Sequence, residues 1–505
     1  MYRREKIFEN TWRIKGKLRQ IIAVALVVTM LPFSSFTAIG TTEAYAQGLT
    51  KNAAGNTEEN RAGREIAEKQ TGGMAGETEV LSDEGQVSAN ASGGVSMEAE
   101  ASGWIRTHGG EETDAFVNGV LNGDIPCPDE DLTITENYVL QEDIVVNDLV
   151  LEGGKLDLKG HTLYIYGDMA QTGGVLEIGS GKVVICKDYD ISGEGTFTMT
   201  GENGYLLVMG NFCTESLNEA NGIYLGVMEV KGDFVQSAPG SPRNFYTNGM
   251  GSDKDFTLFL TGSGAQRLFM EKSGWAPECG YMSGIANLVI ENESEEGVTL
   301  ENVPWVLGKV TTNGNAVTGN LGIGNGTVFT EEYFDGGITV LSNMGVEIKT
   351  PLAVGEGLTV KEKSHLSLYD RLEAAGDAEI KGSVHVYGNG LYVKGDISIE
   401  NEGADISCGL DMTKDEAFVL AEGDFYQKIS MPYHMTGGII ECQGNVTIDG
   451  PFGAEGKQRV VLSGTGEQRI NLLNGASFQI LELENRSSSG IVVDGSGAWK
   501  RLISN

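Results

Sequence analysis

Aspartate follows glycine at regular intervals in two stretches of the chain, and rows of acidic side chains can carry out chemistry. The first row comprises Gly167, Asp168, Lys187, Asp188, Gly210, Asn211, Gly232 and Asp233. The second row comprises Gly376, Asp377, Gly395, Asp396, Gly423, Asp424, Gly444 and Asn445. Glycosidases use carboxylates as acid, base or nucleophile, and clustered carboxylates also bind Ca²⁺.

The regular spacing of these residues favours a structural role over catalysis. A catalytic pair needs two environments that push its pKa values apart, whereas residues repeated at one phase share a single environment. Neither the calcium loop DxDxDG nor the repeat GGxGxD occurs in the sequence. We therefore predict a ladder of turn-capping residues, with no catalytic site, metal site or cofactor. Weak Ca²⁺ binding is the alternative.

Histidine and cysteine give no catalytic pattern. The histidines are His108, His161, His365, His385 and His434, and the cysteines are Cys127, Cys186, Cys213, Cys279, Cys408 and Cys442. HExxH, CxxC, GxSxG and the phosphate-binding GxxxxGK[ST] motif do not occur. His385 alternates with two valines and is predicted to face solvent. Cys127 and Cys279 are the candidates for a disulfide.

Tyrosines on one side of a strand are candidate ligand-binding residues. Tyr164 and Tyr166 alternate with Leu163 and Ile165, and Tyr392 lies in a similar segment. Tyrosines on a flat sheet face can stack on sugars or on a protein. Alternatively, they only raise the β propensity of an exposed strand.

Short strands must position all of these residues. From Leu149 the chain reads LVLEGGK, LDLKGHT and LYIYGDM, in which apolar residues alternate at period two. Arms of about seven residues leave no room for crossover helices. The Asp positions of the first row lie 20, 23 and 22 residues apart, which is typical of a solenoid coil. We predict an all-β fold of parallel β-solenoid units, with glycine at corners of positive φ and Asp capping them; tandem antiparallel sandwiches are the alternative.

The repeat region is duplicated. Asp377 lies 209 residues after Asp168, and the other rungs are offset by 208, 213 and 212 residues. The segment TGSGAQRLFM matches SGTGEQRINL, and ANLVIENES matches QILELENRS. By this alignment Cys442 takes the place of Val230, which predicts a buried thiol. The predicted units are 132–312 and 313–505, preceded by a cap segment at 104–131 that carries a short helical pattern.

The N-terminus has the pattern of an export signal. Residues 1–46 carry basic residues, an apolar run and the small residues Ala44 and Ala46, which predicts a signal peptide cleaved after Ala46. A retained membrane anchor is the alternative. Residues 47–103 lack aromatic side chains and are predicted to be a disordered spacer. The net charge of -35 argues against a nucleic-acid partner.

The combination of strand pairs, GD, GSGxQ and LxIxN resembles the repetitive N-terminal regions of large secreted or cell-surface proteins of Gram-positive bacteria. The resemblance covers residues 132–505 and implies a secreted, non-catalytic, adhesin-like stalk with cell-wall or host glycans or proteins as partners. Two alternatives are a carbohydrate-active β-helix enzyme, with acidic residues near Glu271 to Glu278, and the leading fragment of a larger surface protein or toxin. We also predict no membrane span after signal cleavage. Because uncovered solenoid ends can pair with one another, we predict end-to-end self-association as well.

Overall fold

A computed structural model describes residues 105–220, 222–247, 256–277, 279–401, 408–433 and 435–504. The predicted signal peptide with Ala44 and Ala46, the spacer 47–103 and His434 lie outside these residues. None of the described residues forms a helix long and apolar enough to cross a membrane.

The chain winds into a parallel β-solenoid of about 17 turns. Most coils contribute three short strands, and each strand pairs with its counterpart one coil further along. In the described residues every strand pair is parallel except one small hairpin. The parallel pairing confirms the predicted solenoid and excludes the antiparallel sandwich. Coils of about 20 residues stack in this way because they bury their inward side chains only against neighbouring coils.

Three sheets form the sides of the first sequence copy and extend into the start of the second. Sheet A contains β1 (Leu132–Ile134), β4 (Leu149–Leu151), β7 (Met169–Gln171), β10 (Tyr189–Ile191), β13 (Phe212–Thr214), β15 (Phe234–Gln236), β17 (Gln266–Met270), β21 (Val298–Glu301) and β24 (Val317–Thr318). Sheet B contains β2 (Tyr138–Val139), β5 (Lys155–Asp157), β8 (Val175–Glu177) and β11 (Thr196–Thr198). Sheet C contains β3 (Ile144–Val146), β6 (Thr162–Ile165), β9 (Lys182–Ile185), β12 (Tyr205–Val208), β14 (Val227–Val230), β16 (Thr257–Leu260), β20 (Asn287–Ile290), β23 (Lys309–Thr311) and β26 (Val328–Phe329).

Three further sheets form the sides of the second copy, and the first of them begins with a strand at the end of the first copy. Sheet D contains β22 (Trp305–Val306), β25 (Asn320–Ile323), β28 (Gly337–Val340), β31 (Leu358–Val360), β34 (Ala378–Ile380), β37 (Ile397–Glu400), β40 (Phe425–Lys428), β42 (Val446–Asp449), β44 (Gln468–Leu473) and β46 (Ile491–Gly495). Sheet E contains β27 (Tyr333–Phe334), β30 (Leu352–Val354), β33 (Leu372–Ala374), β36 (Leu391–Val393), β39 (Phe418–Ala421), β41 (Ile439–Cys442), β43 (Arg459–Leu462), β45 (Ser477–Leu483) and β47 (Ala498–Ser504). Sheet F contains β29 (Gly345–Ile348), β32 (His365–Leu368), β35 (Ser383–Val386) and β38 (Gly409–Asp411). The antiparallel hairpin lies in the first copy and pairs β18 (Trp275–Ala276) with β19 (Gly280–Tyr281).

One hydrophobic core runs through both copies. It extends without a break in packing from Ile134 to Leu481. Inward positions carry Leu, Ile, Val and Phe, and burial of each such side chain contributes roughly 1.5–3 kcal/mol. In the middle of the first copy Phe212, Phe234 and Phe245 pack against one another, with ring centroids 4.8–5.9 Å apart. The two sequence copies therefore share a single stack.

The second copy is rotated by one side of the coil relative to the first. In the first copy the Gly-Asp corner joins β6 of sheet C to β7 of sheet A. In the second copy it joins β33 of sheet E to β34 of sheet D. Sheet E continues the side formed by sheet A, and sheet D continues the side formed by sheet B. Sheet E thus repeats sheet C in sequence but lies on the neighbouring side of the solenoid.

The cap segment places a helix on the outside of sheet C. Helix α1 (Glu111–Leu121) carries Phe116, Val117 and Val120 on one face and acidic residues in its first turn, which favours helix formation through the helix dipole. These three side chains pack against outward residues of β9 and β12 and cover Tyr164. Tyr164 lies against Phe116, with ring centroids 4.3 Å apart.

Candidate functional site

The Asp rows form hydrogen-bonded ladders between coils. In the first ladder the Oδ1 atom of each rung accepts the backbone N–H of the rung one coil on. The bonds are Asp168 N to Asp148 (2.8 Å), Asp188 N to Asp168 (3.0 Å), Asn211 N to Asp188 (2.6 Å), Asp233 N to Asn211 (2.8 Å) and Arg267 N to Asp233 (2.9 Å). In the second ladder the bonds are Asp396 N to Asp377 (2.8 Å), Asp424 N to Asp396 (2.7 Å), Asn445 N to Asp424 (2.7 Å) and Arg469 N to Asn445 (2.9 Å). Both ladders end at an arginine.

The glycines of the ladders serve a different purpose from the one predicted. None of the ladder glycines has a positive φ, so the prediction of left-handed corners was wrong. A Cβ at Gly395 would lie 2.0 Å from Asp377 Oδ1, and one at Gly167 would lie 1.8 Å from Asp148 Oδ1. Glycine is therefore favoured because the acceptor side chain of the preceding coil occupies that space.

The ladder carboxylates carry a structural bond from one coil to the next. Successive rungs make the same bond to the next coil, and the prediction that they are not catalytic stays a prediction from the sequence. Within the described residues, no three His, Cys, Asp or Glu side chains are grouped so as to hold a metal ion. Weak Ca²⁺ binding stays a prediction from the sequence.

The GSGxQ and LxIxN motifs build one buried cross-link in each copy. Gln266 Oε1 accepts the N–H of Gly262 (2.7 Å), and its Nε2 donates to the carbonyls of Val230 (3.0 Å) and Gly232 (2.6 Å). Asn292 of the second motif donates to the same Oε1 atom (2.8 Å). A buried amide must have its hydrogen bonds satisfied, so the motif residues hold three coils together rather than a ligand.

The equivalent cross-link in the second copy has the same geometry. Gln468 Oε1 accepts the N–H of Gly464 (2.9 Å) and a bond from Asn485 (2.7 Å). Its Nε2 donates to the carbonyls of Cys442 (3.0 Å) and Gly444 (2.6 Å). The match between the copies thus extends to individual hydrogen bonds.

A polar and aromatic group on the outside of sheet F is the strongest candidate site. We call it the His385 cluster; its members are Tyr369, Ser383, His385, Tyr387, Asp411 and Tyr433. His385 Nδ1 lies 2.8 Å from Asp411 Oδ2, and His385 Nε2 lies 3.2 Å from Ser383 Oγ. This is the connectivity of a Ser-His-Asp triad.

The serine of this cluster is poorly placed to act as a nucleophile. Ser383 is 4% exposed, and its backbone N–H already donates to the Ser364 carbonyl (3.0 Å). Acyl transfer needs an accessible nucleophile and free donors for an oxyanion. The contacts around Ser383 instead fix the orientation of the His385 ring.

The tyrosines give this cluster an exposed aromatic surface. Tyr369 and Tyr387 stack with centroids 5.0 Å apart and are 49% and 36% exposed. Tyr433 packs edge-on against the His385 ring at 5.3 Å. Burial raises the pKa of Tyr387, and Asp411 and Tyr369 raise it further, so its hydroxyl stays a hydrogen-bond donor at neutral pH.

The tyrosines singled out by the sequence are less available. Tyr164 and Tyr166 face outward as predicted, but α1 packs over them. Tyr392 lies under the guanidinium of Arg371, 4.1 Å from the ring centroid. No sequence pattern pointed to the His385 cluster, because Asp411 lies 26 residues from His385 and outside the regular spacing of the rungs.

A buried carboxylate anchors the cap segment to sheet C. Glu229 is fully buried, and its Oε2 atom accepts the backbone N–H of His108 (2.8 Å) and the hydroxyl of Tyr205 (2.7 Å). Its Oε1 atom accepts the Thr261 hydroxyl (2.8 Å) and lies 3.0 Å from Lys231 Nζ. Burial alone would raise the pKa of Glu229, but Lys231 and these hydrogen bonds outweigh it and lower the pKa.

The remaining predicted residues are scattered. The six cysteines are all unpaired, including the exposed Cys127 and Cys279, and Cys442 is fully buried in the core. Of the acidic insertion, Glu271 accepts the N–H of Ala238 (3.0 Å), while Glu278 lies outside the described residues. His108 stacks on Phe259 at 3.8 Å and lies 3.0 Å from Glu291.

Comparison of the chain with family models, with curated proteins and with solved structures gave no match. The fold defines the class of the protein, a three-sided parallel β-solenoid.

Proposed function

We propose that this chain is an exported, non-catalytic stalk of the bacterial cell surface. The observation that carries the proposal is the continuous core from Ile134 to Leu481, which is reinforced by two side-chain ladders. Stacked coils rise about 4.8 Å each, so about 17 turns extend roughly 80 Å. A rigid rod of this kind separates what lies at its two ends.

Electron microscopy of the purified chain tests the stalk. We expect rod-shaped particles with a straight segment of roughly 80 Å. Compact particles of equal width and length would contradict the proposal. The variant Leu366→Asp, which places a charge in the core, is the matched control and should lose the rod.

Export is tested by expressing the chain from Met1 in a Gram-positive host. We expect the protein in the medium or on the cell surface, with a mature N-terminus at Gln47. Ala46→Arg should block processing and leave a larger, cell-bound form. Intact cytoplasmic protein in both cases would overturn this part of the proposal.

The adhesive part of the proposal assigns ligand contact to the His385 cluster. Its exposed tyrosines combine apolar ring surface with hydroxyl donors, which suits glycans or a protein partner. Binding of the full chain to a panel of cell-wall and host glycans is the test, with Tyr369→Ser/Tyr387→Ser as the altered protein. Equal binding by both proteins would remove the cluster from consideration.

The Ser-His-Asp connectivity is the observation that favours the second candidate, a hydrolase acting on ester-substituted glycans. A fluorophosphonate probe tests it directly, because such probes label activated serines. We expect no labelling of Ser383. Labelling that disappears in Ser383→Ala would replace the non-catalytic proposal with the hydrolase.

A further inference from the structure

The surface that α1 covers in the first copy is present again in the second copy. The alignment of the copies pairs Val184 with Tyr392, Tyr205 with Phe418, Leu207 with Leu420, Val227 with Ile439, Glu229 with Glu441 and Phe259 with Val461. Strand pairing places both sets in the same rows, with Leu207 beside Glu229 in sheet C and Leu420 beside Glu441 in sheet E. We call the second set, on the outside of sheet E, the copy-2 patch.

The two surfaces differ in what covers them. Val184, Leu207 and Glu229 are fully buried beneath the cap segment, and Tyr205 is 3% exposed. Their equivalents Leu420, Glu441 and Phe418 are partly exposed. Tyr392 is also partly exposed but lies under the Arg371 guanidinium, and Val461 is 6% exposed. No helix of the described residues lies over the copy-2 patch.

The sheet next to the copy-2 patch has a mostly polar outer face. On the neighbouring sheet D the corresponding outward row is Thr359, Glu379, Ser398, Tyr426, Thr447 and Asn471, which is polar except for one tyrosine. An outward apolar group rimmed by polar residues is typical of an interaction surface.

Glu441, the acidic residue of the copy-2 patch, has one carboxylate oxygen that accepts no hydrogen bond from the described residues. Glu441 Oε1 accepts the Ser463 hydroxyl at 2.5 Å, as Glu229 Oε1 accepts that of Thr261. Glu229 Oε2 receives the N–H of His108, whereas no described residue donates to the other oxygen of Glu441. The second copy thus repeats the acceptor without the donor.

We propose that the copy-2 patch binds an amphipathic helix of a partner chain that resembles the α1 segment. The helix presents an aromatic residue followed by β-branched residues, as Phe116, Val117 and Val120 do, and the turn before it donates a backbone N–H to Glu441. The internal duplication supplies the argument, because an equivalent surface in the same chain already holds such a helix. This inference does not depend on export or on adhesion.

A labelled peptide of residues 105–125 is the probe, titrated into the full chain and followed by fluorescence anisotropy. We expect saturable binding that weakens at least tenfold in Leu420→Glu and also in a Phe116→Ala/Val117→Ala peptide. Thr447→Glu on sheet D is the matched control and should bind like the wild type.

Each outcome of this titration decides the proposal. Binding that Leu420→Glu removes, with its melting temperature equal to that of Thr447→Glu, supports the copy-2 patch. Absence of binding, or equal binding by wild type and Leu420→Glu, overturns it. If Leu420→Glu does not fold, Glu441→Lys replaces it, because Glu441 is partly exposed and its reversal removes the acceptor without adding bulk to the core.

Discussion

The Oδ1 atom of Asp377 accepts the backbone N–H of Asp396 one coil further along the solenoid, at 2.8 Å. The side chain of Asp396 repeats the same contact with Asp424 at 2.7 Å. Each corner residue therefore fixes the backbone of the next coil. The ladder supplements the sheet hydrogen bonds at a position where the chain turns and sheet pairing is interrupted.

Removal of one ladder acceptor should weaken the stack. We expect Asp396→Ala to lower the free energy of unfolding by about 1 kcal/mol, because the N–H of Asp424 loses its acceptor. Asp396→Asn should be close to wild type, since Asn211 and Asn445 serve as natural rungs. Urea denaturation measures the free energy of unfolding of both variants. A larger loss in Asp396→Asn than in Asp396→Ala would contradict the role of the ladder.

The buried glutamine should be more sensitive than any ladder residue. We expect Gln468→Leu to cost about 3 kcal/mol, because the N–H of Gly464 and the carbonyl of Gly444 lose their amide partner and the carbonyl of Cys442 loses one of its two N–H donors. Thermal unfolding is the measurement. The exposed Glu467→Ala serves as a control, and equal effects of the two changes would show that the cross-link is unimportant.

Attachment of α1 should depend on pH through Glu229. Its pKa is lowered in the folded chain from an ordinary value of 4.5, so ionisation stabilises the folded state above pH 4.5 and this contribution disappears as the pH falls through the folded pKa. Hydrogen exchange of residues 105–125, corrected for intrinsic rates, measures the effect. We expect strong protection at pH 7 that decreases below pH 4.5.

Glu229→Gln provides the control for this pH dependence. The variant leaves Lys231 without its buried counter-charge and should cost about 3 kcal/mol at pH 7. The difference between wild type and variant should shrink on acidification. A difference that stays constant from pH 7 to pH 3 would assign the loss of protection to other groups.

The thiols should fall into two classes of reactivity. Burial raises the pKa of Cys186 to about 12 and of Cys442 to about 12, whereas Cys127 and Cys279 are exposed. With iodoacetamide at pH 8 we expect rapid alkylation of the exposed pair only, read by mass spectrometry. Phe116→Asp, which loosens α1, should expose Cys186 and leave Cys442 protected; modification of Cys442 first would contradict the assigned core.

Local sequence patterns were sufficient to predict the elements and their stacking. Alternation such as Leu149 and Leu151 requires one side of a strand to be buried, and a recurrence near 20 residues requires that burial to come from neighbouring coils. The ladder positions follow from the same recurrence. The absence of positive φ at Gly395 could not be predicted, because the reason for that glycine is the Asp377 side chain of another coil.

Strand periodicity and coil length are local properties. They were therefore enough to favour the parallel solenoid and to predict the duplication and the outward direction of residues such as Tyr164 and His385. Three relationships came from tertiary folding: α1 covers Tyr164, His385 contacts Asp411, and the second ladder lies at a different corner from the first. These relationships depend on how many sides the chain completes between distant residues. If the chain adds or omits one side of a coil, all later residues lie on the neighbouring sheet of the solenoid. No local sequence pattern predicts that shift.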